Sequence, residues 1–297
     1  MPQPESRPGT LWPIDKFFIA YAAITVCLLG FAARHDSFAL LLIFGHVAMV
    51  GLIFILATNL SPAAQFVRQW SLLIYLPFCY KQVPYLVSAL HLHVADLTLA
   101  HWDKAMWKVD PVFSLSSAPN HALTELLEII YFLFIPSTLL LGVILWVRRS
   151  RQEFRYGTFL IAATFLITYV GYLIVPARGP RFMDYASFYP QLQGLWTFNF
   201  FKNLLDRLEG TQYDCFPSGH VAVVLVGAYL ARRISAPAFY CFAAFAACIV
   251  FSTVYLRYHY VIDVIAGVAL AVAVVTGGPW IYRKLDSSGI GSAHSNG

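Results

Sequence analysis

Two histidines stand out because of the residues around them. His220 closes the string Cys215-Phe216-Pro217-Ser218-Gly219-His220. Proline suits the first turn of a helix, where its missing N–H would have had no partner. Ser218 and Gly219 are expected to leave backbone N–H groups at a positive helix N-terminus, which favours a bound phosphate, and glycine lets such an anion come close. His220 then lies beside the anion, suited to giving a proton to a leaving oxygen. The second string is Arg257-Tyr258-His259-Tyr260-Val261-Ile262-Asp263. His259 and Asp263 are four apart, on one helical face. A carboxylate there accepts the proton of one ring nitrogen, fixes the tautomer and frees the other nitrogen to attack phosphorus. A structural histidine–aspartate pair is the plainer alternative.

Arg178 and Arg181, in Val175-Pro176-Ala177-Arg178-Gly179-Pro180-Arg181, are the natural phosphate clamp, since guanidinium matches phosphate oxygens in bidentate geometry. Anchoring to lipid headgroups is the other use of such arginines. Lys81 falls about 16 Å into a helix that starts at Trp70, too deep to be idle. It is expected to touch phosphate or to pair with Glu128, which lies near Glu125 on one helical face; snorkelling is the alternative. Arg257, two residues from His259, ranks below the other arginines. His35, His46, His91, His93, His101, His121 and His294 form no metal constellation, so neither metal nor cofactor is expected. A rival class stays open: histidines on membrane helices ligating haem or lining a transporter's proton path.

These residues must be positioned by membrane helices. With 59% apolar and 12% charged residues, the chain cannot surround a single core with a water-soluble surface. Apolar runs near the roughly 20 residues that cross a bilayer recur over 17–33, 38–58, 70–90, 121–147, 156–175, 217–232, 238–256 and 259–282. Backbone groups in hydrocarbon must be satisfied internally, so an all-α integral membrane fold with about eight transmembrane helices is expected. If the spans alternate, Arg7, Lys16, Arg68, the run Arg148, Arg149, Arg151 and Arg155, then Arg232, Arg233, Arg283 and Lys284 share one side. Cytoplasmic loops keep such an excess. The histidine strings are then extracytoplasmic, and the net charge of +5 reports topology rather than a nucleic-acid partner. Of five cysteines only Cys215 lies in an outer loop, as a lone thiol or a small packing residue, and no disulfide framework follows.

Two outer segments are too long for simple turns, 91–120 and 176–216. The first mixes Trp102 and Trp107 with Asp96, Asp103, Lys104, Lys108 and Asp110. It suits an interfacial helix, either a headgroup-level spacer or a lid over a lipid path. The expected organisation is a cytoplasmic segment 1–16, two extra helices in 17–69, a six-helix catalytic domain over 70–282, and a disordered cytoplasmic tail 283–297.

The proline-serine-glycine-histidine box, the His-x-x-x-Asp string and the upstream arginine-proline element together resemble the type 2 phosphatidic acid phosphatase superfamily, over roughly 70–282. The resemblance implies a phosphohistidine on His259, orientation by Asp263, proton donation by His220, phosphate held by Arg178, Ser218 and Gly219, and no metal. Two basic residues of the family pattern are missing: Gly171 stands seven before Arg178, and Thr253 six before His259. The pattern is closer to the inositol phosphorylceramide synthase-like branch, whose members move a phosphorylated headgroup between lipids. The expected function is thus a lipid phosphate phosphatase or phosphotransferase in the cytoplasmic membrane, acting on a lipid phosphate or diphosphate. The substrate and the choice between water and an alcohol acceptor are left open.

Overall fold

The structure, a computed structural model, describes residues 8–34, 36–209 and 212–286. Arg7, His35, His294 and the tail expected to be disordered beyond Asp286 lie outside the described residues. Among the described residues there is no strand. The first two helices are α1 (Pro13–Ala32) and α2 (Phe38–Thr58). Three short ones follow, α3 (Pro62–Trp70), α4 (Leu72–Lys81) and α5 (Val83–Ala89). Next come α6 (Asp96–Trp107), α7 (Pro111–Leu115), α8 (His121–Phe132), α9 (Phe134–Arg148) and α10 (Arg151–Ile174). The last described helices are α11 (Phe198–Glu209), α12 (Gly219–Arg232), α13 (Ala236–Tyr255) and α14 (Val261–Leu285).

Among the described residues, five helices are long and apolar enough to cross a membrane: α1, α2, α10, α13 and α14. A sixth span results if α8 and α9, bent by 42°, are counted together. Proline and capping shorten or bend the helices of the other expected spans. Pro136 has no N–H for the Phe132 carbonyl and crowds it, which places the bend between α8 and α9. Pro84 does the same to the Tyr80 carbonyl, which parts α4 from α5 at Gln82, and a further break at Ser71 parts α3 from α4 within the run 70–90. Ser218 caps α12 by accepting from Val221 N at 3.4 Å. That leaves α12 only 14 residues, about 21 Å.

Lipid is the solvent of the outer faces. Phe44 on α2 is 69% exposed, Val147 on α9 63% and Tyr240 on α13 69%, a distribution that water would penalise. The chain is an all-α integral membrane protein. Helix α10 runs through the middle against α1, α4, α9, α12 and α14. Helix α12 is apolar nearly all round and buried accordingly. Close approach of α14 to the start of α12 depends on Gly267, where a Cβ would stand 2.6 Å from the Ser218 carbonyl oxygen.

At the end of the bundle away from the histidines, Arg68 and Asp15 form a buried ion pair. The Arg68 and Arg155 guanidiniums lie 4.0 and 4.1 Å from the Trp12 ring centroid. Lys16 Nζ donates to the Leu285 carbonyl at 2.6 Å, tying α1 to the last turn of α14. All five cysteines are free thiols.

Candidate active site

The end of α10, the start of α12 and the turn between α13 and α14 converge at the opposite end. Their loops are fixed by carboxylates from α6. Asp96 Oδ2 accepts from Arg178 N at 2.8 Å, while its Oδ1 accepts from Gly179 N at 2.8 Å and from the Tyr260 hydroxyl at 3.0 Å. Gly179 is required here: its φ is +101°, and a Cβ would stand 2.6 Å from the Tyr258 carbonyl. Asp103 accepts from Val261 N at 2.7 Å and Ile262 N at 2.8 Å, capping α14 from another element. Burial raises Asp103 to about 6 against the pull of those two N–H donors. The segment expected to be a spacer or a lid is thus the brace of the site. Arg257, at φ +63°, donates to the Ser116 hydroxyl and carbonyl at 2.8 and 3.0 Å and to the Pro190 carbonyl at 3.0 Å. Its charge is used to hold two loops together.

His220 and His259 face each other with ring centroids 5.8 Å apart. His220 is held between Tyr131 and Phe134, at 4.5 and 4.4 Å between centroids. Its Nδ1 meets the Tyr131 hydroxyl at 3.2 Å, and its Nε2 lies 3.6 Å from Glu209 Oε1. Helix α14 starts after His259, which is instead held by Thr253: that carbonyl accepts from both Tyr258 N and His259 N at 3.0 Å. The expected one-face pairing therefore changes. His259 Nδ1 is 3.6 Å from Asp263 Oδ2 but 2.9 Å from the Cys215 carbonyl. A carbonyl only accepts, so Nδ1 carries the proton and Nε2 the lone pair. Asp263 Oδ2 accepts from Tyr260 N and from the Cys215 thiol, both at 2.8 Å. Burial, and then the Asp263 carboxylate, push that thiol well above its ordinary value, so the sulfur keeps its proton.

Ser218 differs from expectation. Its N–H donates to the Asp263 carbonyl at 3.1 Å and its hydroxyl caps α12, so it joins α12 to α14 rather than leaving a free donor. Gly219 opens α12 immediately before His220. Arg178 Nη2 donates to Gln212 Oε1 at 3.1 Å, and its Nε is buried without a hydrogen-bond partner among the described residues. The Arg181 guanidinium lies 4.8 and 4.5 Å from the ring centroids of Phe182 and Tyr258, with Nη1 3.0 Å from Asp206. A cavity of about 660 Å³ has a lining that includes Glu128, Arg181, Lys202, Asp206, Glu209 and Tyr258; it adjoins the histidines through Glu209 and Tyr258, and neither ring is part of that lining.

Lys81 does not pair with Glu128. Its Nζ donates to the Leu208 and Glu209 carbonyls, the C-terminal end of α11, where a cation meets the negative pole of a helix. Glu128 instead accepts from the Tyr258 hydroxyl at 2.9 Å. Glu125 caps the other end of α11, accepting from the backbone N–H groups of Leu195, Trp196, Thr197 and Phe198 and from the Thr197 hydroxyl. Sequence reasoning missed Tyr131, Glu209 and the bracing role of Asp96. Only Asp214, directly before the histidine box, carried a local signal; it accepts from the Tyr80 hydroxyl. Among the described residues, one group has metal-ligating types close together: Cys215, His259 and Asp263, with ligand atoms within 4.8 Å of one another. Those atoms are engaged with each other or with the Cys215 carbonyl.

A family model, the PAP2 superfamily, matches residues 97–277, a span that contains every loop of this site. No curated protein and no solved structure matches the chain.

Proposed function

The chain belongs to the PAP2 superfamily, and from that premise we propose that it is a lipid phosphate phosphatase or phosphotransferase acting through a phosphohistidine on His259, without a metal. One observation carries this reading above the others. The Cys215 carbonyl holds the proton on His259 Nδ1, so the Nε2 lone pair is available on the ring that faces His220. In the proposed reaction Nε2 attacks phosphorus, the phosphorus–oxygen ester bond breaks, and His220 gives a proton to the departing alcohol. Water or an alcohol then attacks the phosphohistidine while His220 takes its proton back, releasing His259. Arg181, held by two aromatic rings, and Arg178, whose Nε has no hydrogen-bond partner among the described residues, are the proposed phosphate ligands. Gly219 opens the helix whose positive end supports the same anion. The basic ends of α9, α12 and α14 lie away from the site, which supports an extracytoplasmic active face. Residues 70–282 are the proposed catalytic domain, with 17–69 adding two helices.

Transfer to an alcohol, as in the inositol phosphorylceramide synthase-like branch, is the second reading. The 660 Å³ cavity favours it, because Arg181, Lys202, Asp206 and Glu209 in its lining offer an alcohol acceptor polar partners next to Tyr258. The test is phosphate release from a panel of lipid phosphates and diphosphates by detergent-purified protein with chelator present. Wild type should release phosphate and His259→Ala should not. Full activity in His259→Ala sinks the phosphohistidine. No release by wild type, but transfer when alcohols are supplied, selects the second reading.

A further inference from the structure

The nucleophile's inward-facing nitrogen is held by a residue outside the histidine and aspartate strings. Cys215 approaches His259 twice: its carbonyl accepts from Nδ1 at 2.9 Å, and its sulfur lies 3.6 Å from the same nitrogen. The thiol then donates to Asp263 Oδ2 at 2.8 Å. Its own placement is determined closely. Cys215 N donates to the Ala177 carbonyl at 3.2 Å, and the residue is 1% exposed. Behind the sulfur stands Gly179, where a Cβ would come to 3.4 Å from Sγ. The arginine loop, the start of α12 and the start of α14 therefore meet at this one side chain.

We infer that Cys215 is a positioning residue for His259, its carbonyl fixing the tautomer and its thiol holding the Asp263 carboxylate beside the imidazole. When Nε2 bonds to phosphorus the ring becomes a cation, and both groups then face the Nδ1–H that carries the charge. Cys215→Ala keeps the carbonyl but removes one donor from a fully buried carboxylate, whose Oδ1 already has no hydrogen-bond partner among the described residues. The carboxylate is then free to turn away. The role rests on the phosphohistidine reading.

The experiment uses full-length protein in detergent with a radiolabelled lipid phosphate and alkaline quenching, which preserves phosphohistidine. Wild type, Cys215→Ala and Cys215→Ser are compared per folded molecule, with melting curves to count the folded fraction. Phosphoenzyme formation in Cys215→Ala should slow about tenfold to a hundredfold, the size of one lost hydrogen bond to a charged group, with KM little changed. Cys215→Ser keeps a donor on the same Cβ and should recover to within a few-fold of wild type. A wild-type rate in Cys215→Ala, or equal losses in both variants, overturns the positioning role and leaves the nucleophile assignment standing. No phosphoenzyme in the wild type overturns the phosphohistidine reading and this role with it.

Discussion

Tyr131 serves His220 in two ways, as a stacked ring and as the hydroxyl 3.2 Å from Nδ1. Tyr131→Phe separates them. The stack remains, the orienting hydrogen bond goes, and kcat should fall about tenfold with KM little changed, the loss expected for one neutral hydrogen bond made to a proton-transfer group. An unchanged kcat would mean that packing alone orients the ring. Arg181 allows a sharper comparison, because its flat guanidinium lies against both Phe182 and Tyr258 while Nη1 reaches Asp206. Lysine cannot stack in this way or offer two parallel donors. Arg181→Lys should therefore raise KM roughly tenfold despite conserving charge; an unaltered KM would move the phosphate clamp to Arg178.

At the scale of elements, the site depends on caps supplied from far away in sequence. Glu125 holds the N-terminal end of α11 from 70 to 73 residues away, and Asp103 caps α14 from 158 and 159. The histidine box and the arginine element were legible because each is local: a proline, a glycine or a charge acts within a few residues. Distant caps leave no local pattern, and hydropathy averages over the helix breaks at Ser71, Gln82 and Leu133, so both became visible only in three dimensions. The His259–Asp263 spacing does bring the two side chains to 3.6 Å, but α14 begins two residues later than the spacing assumed, and the carbonyl that meets Nδ1 comes from Cys215. Glu125→Ala should loosen the segment 195–209, read as roughly hundredfold faster amide exchange there, while α10 and α12 keep their protection. Exchange spread through the core would show that α11 is not a separate unit. Asp103 adds a pH dependence. Its pKa is 3.8 ordinarily and about 6 when folded, so the folded state binds the proton more tightly. The stability it contributes is complete below the lower value and is lost as pH rises through the upper one. Wild-type Tm should therefore fall more than that of Asp103→Asn as pH is raised through this window; parallel curves would assign the acid response elsewhere.

Considered whole, the molecule separates two buried polar centres along its longest helix. Helix α14 has 25 residues, about 37 Å, with Asp263 in its first turn and Leu285 accepting from Lys16 at its last. The Arg68–Asp15 pair belongs to that far end, with side chains 2% and 6% exposed, and Asp15 Oδ2 also accepts from Trp12 N at 2.9 Å. Breaking such a pair from one side leaves an uncompensated buried cation, which costs about 3 to 5 kcal/mol. Asp15→Asn should accordingly lower Tm strongly, because Arg68 remains buried against Trp12 with neutral oxygens, the Thr10 carbonyl at 2.8 Å among them, in place of the carboxylate. Turnover per folded molecule should stay within about twofold, since sites this far apart with no shared partner behave additively. The comparison needs only a melting curve and the phosphate assay on one preparation. A kcat that falls with Tm would show that α10 and α14 carry strain from one end of the bundle to the other, and that the N-terminal helices are part of the catalytic unit rather than an addition to it.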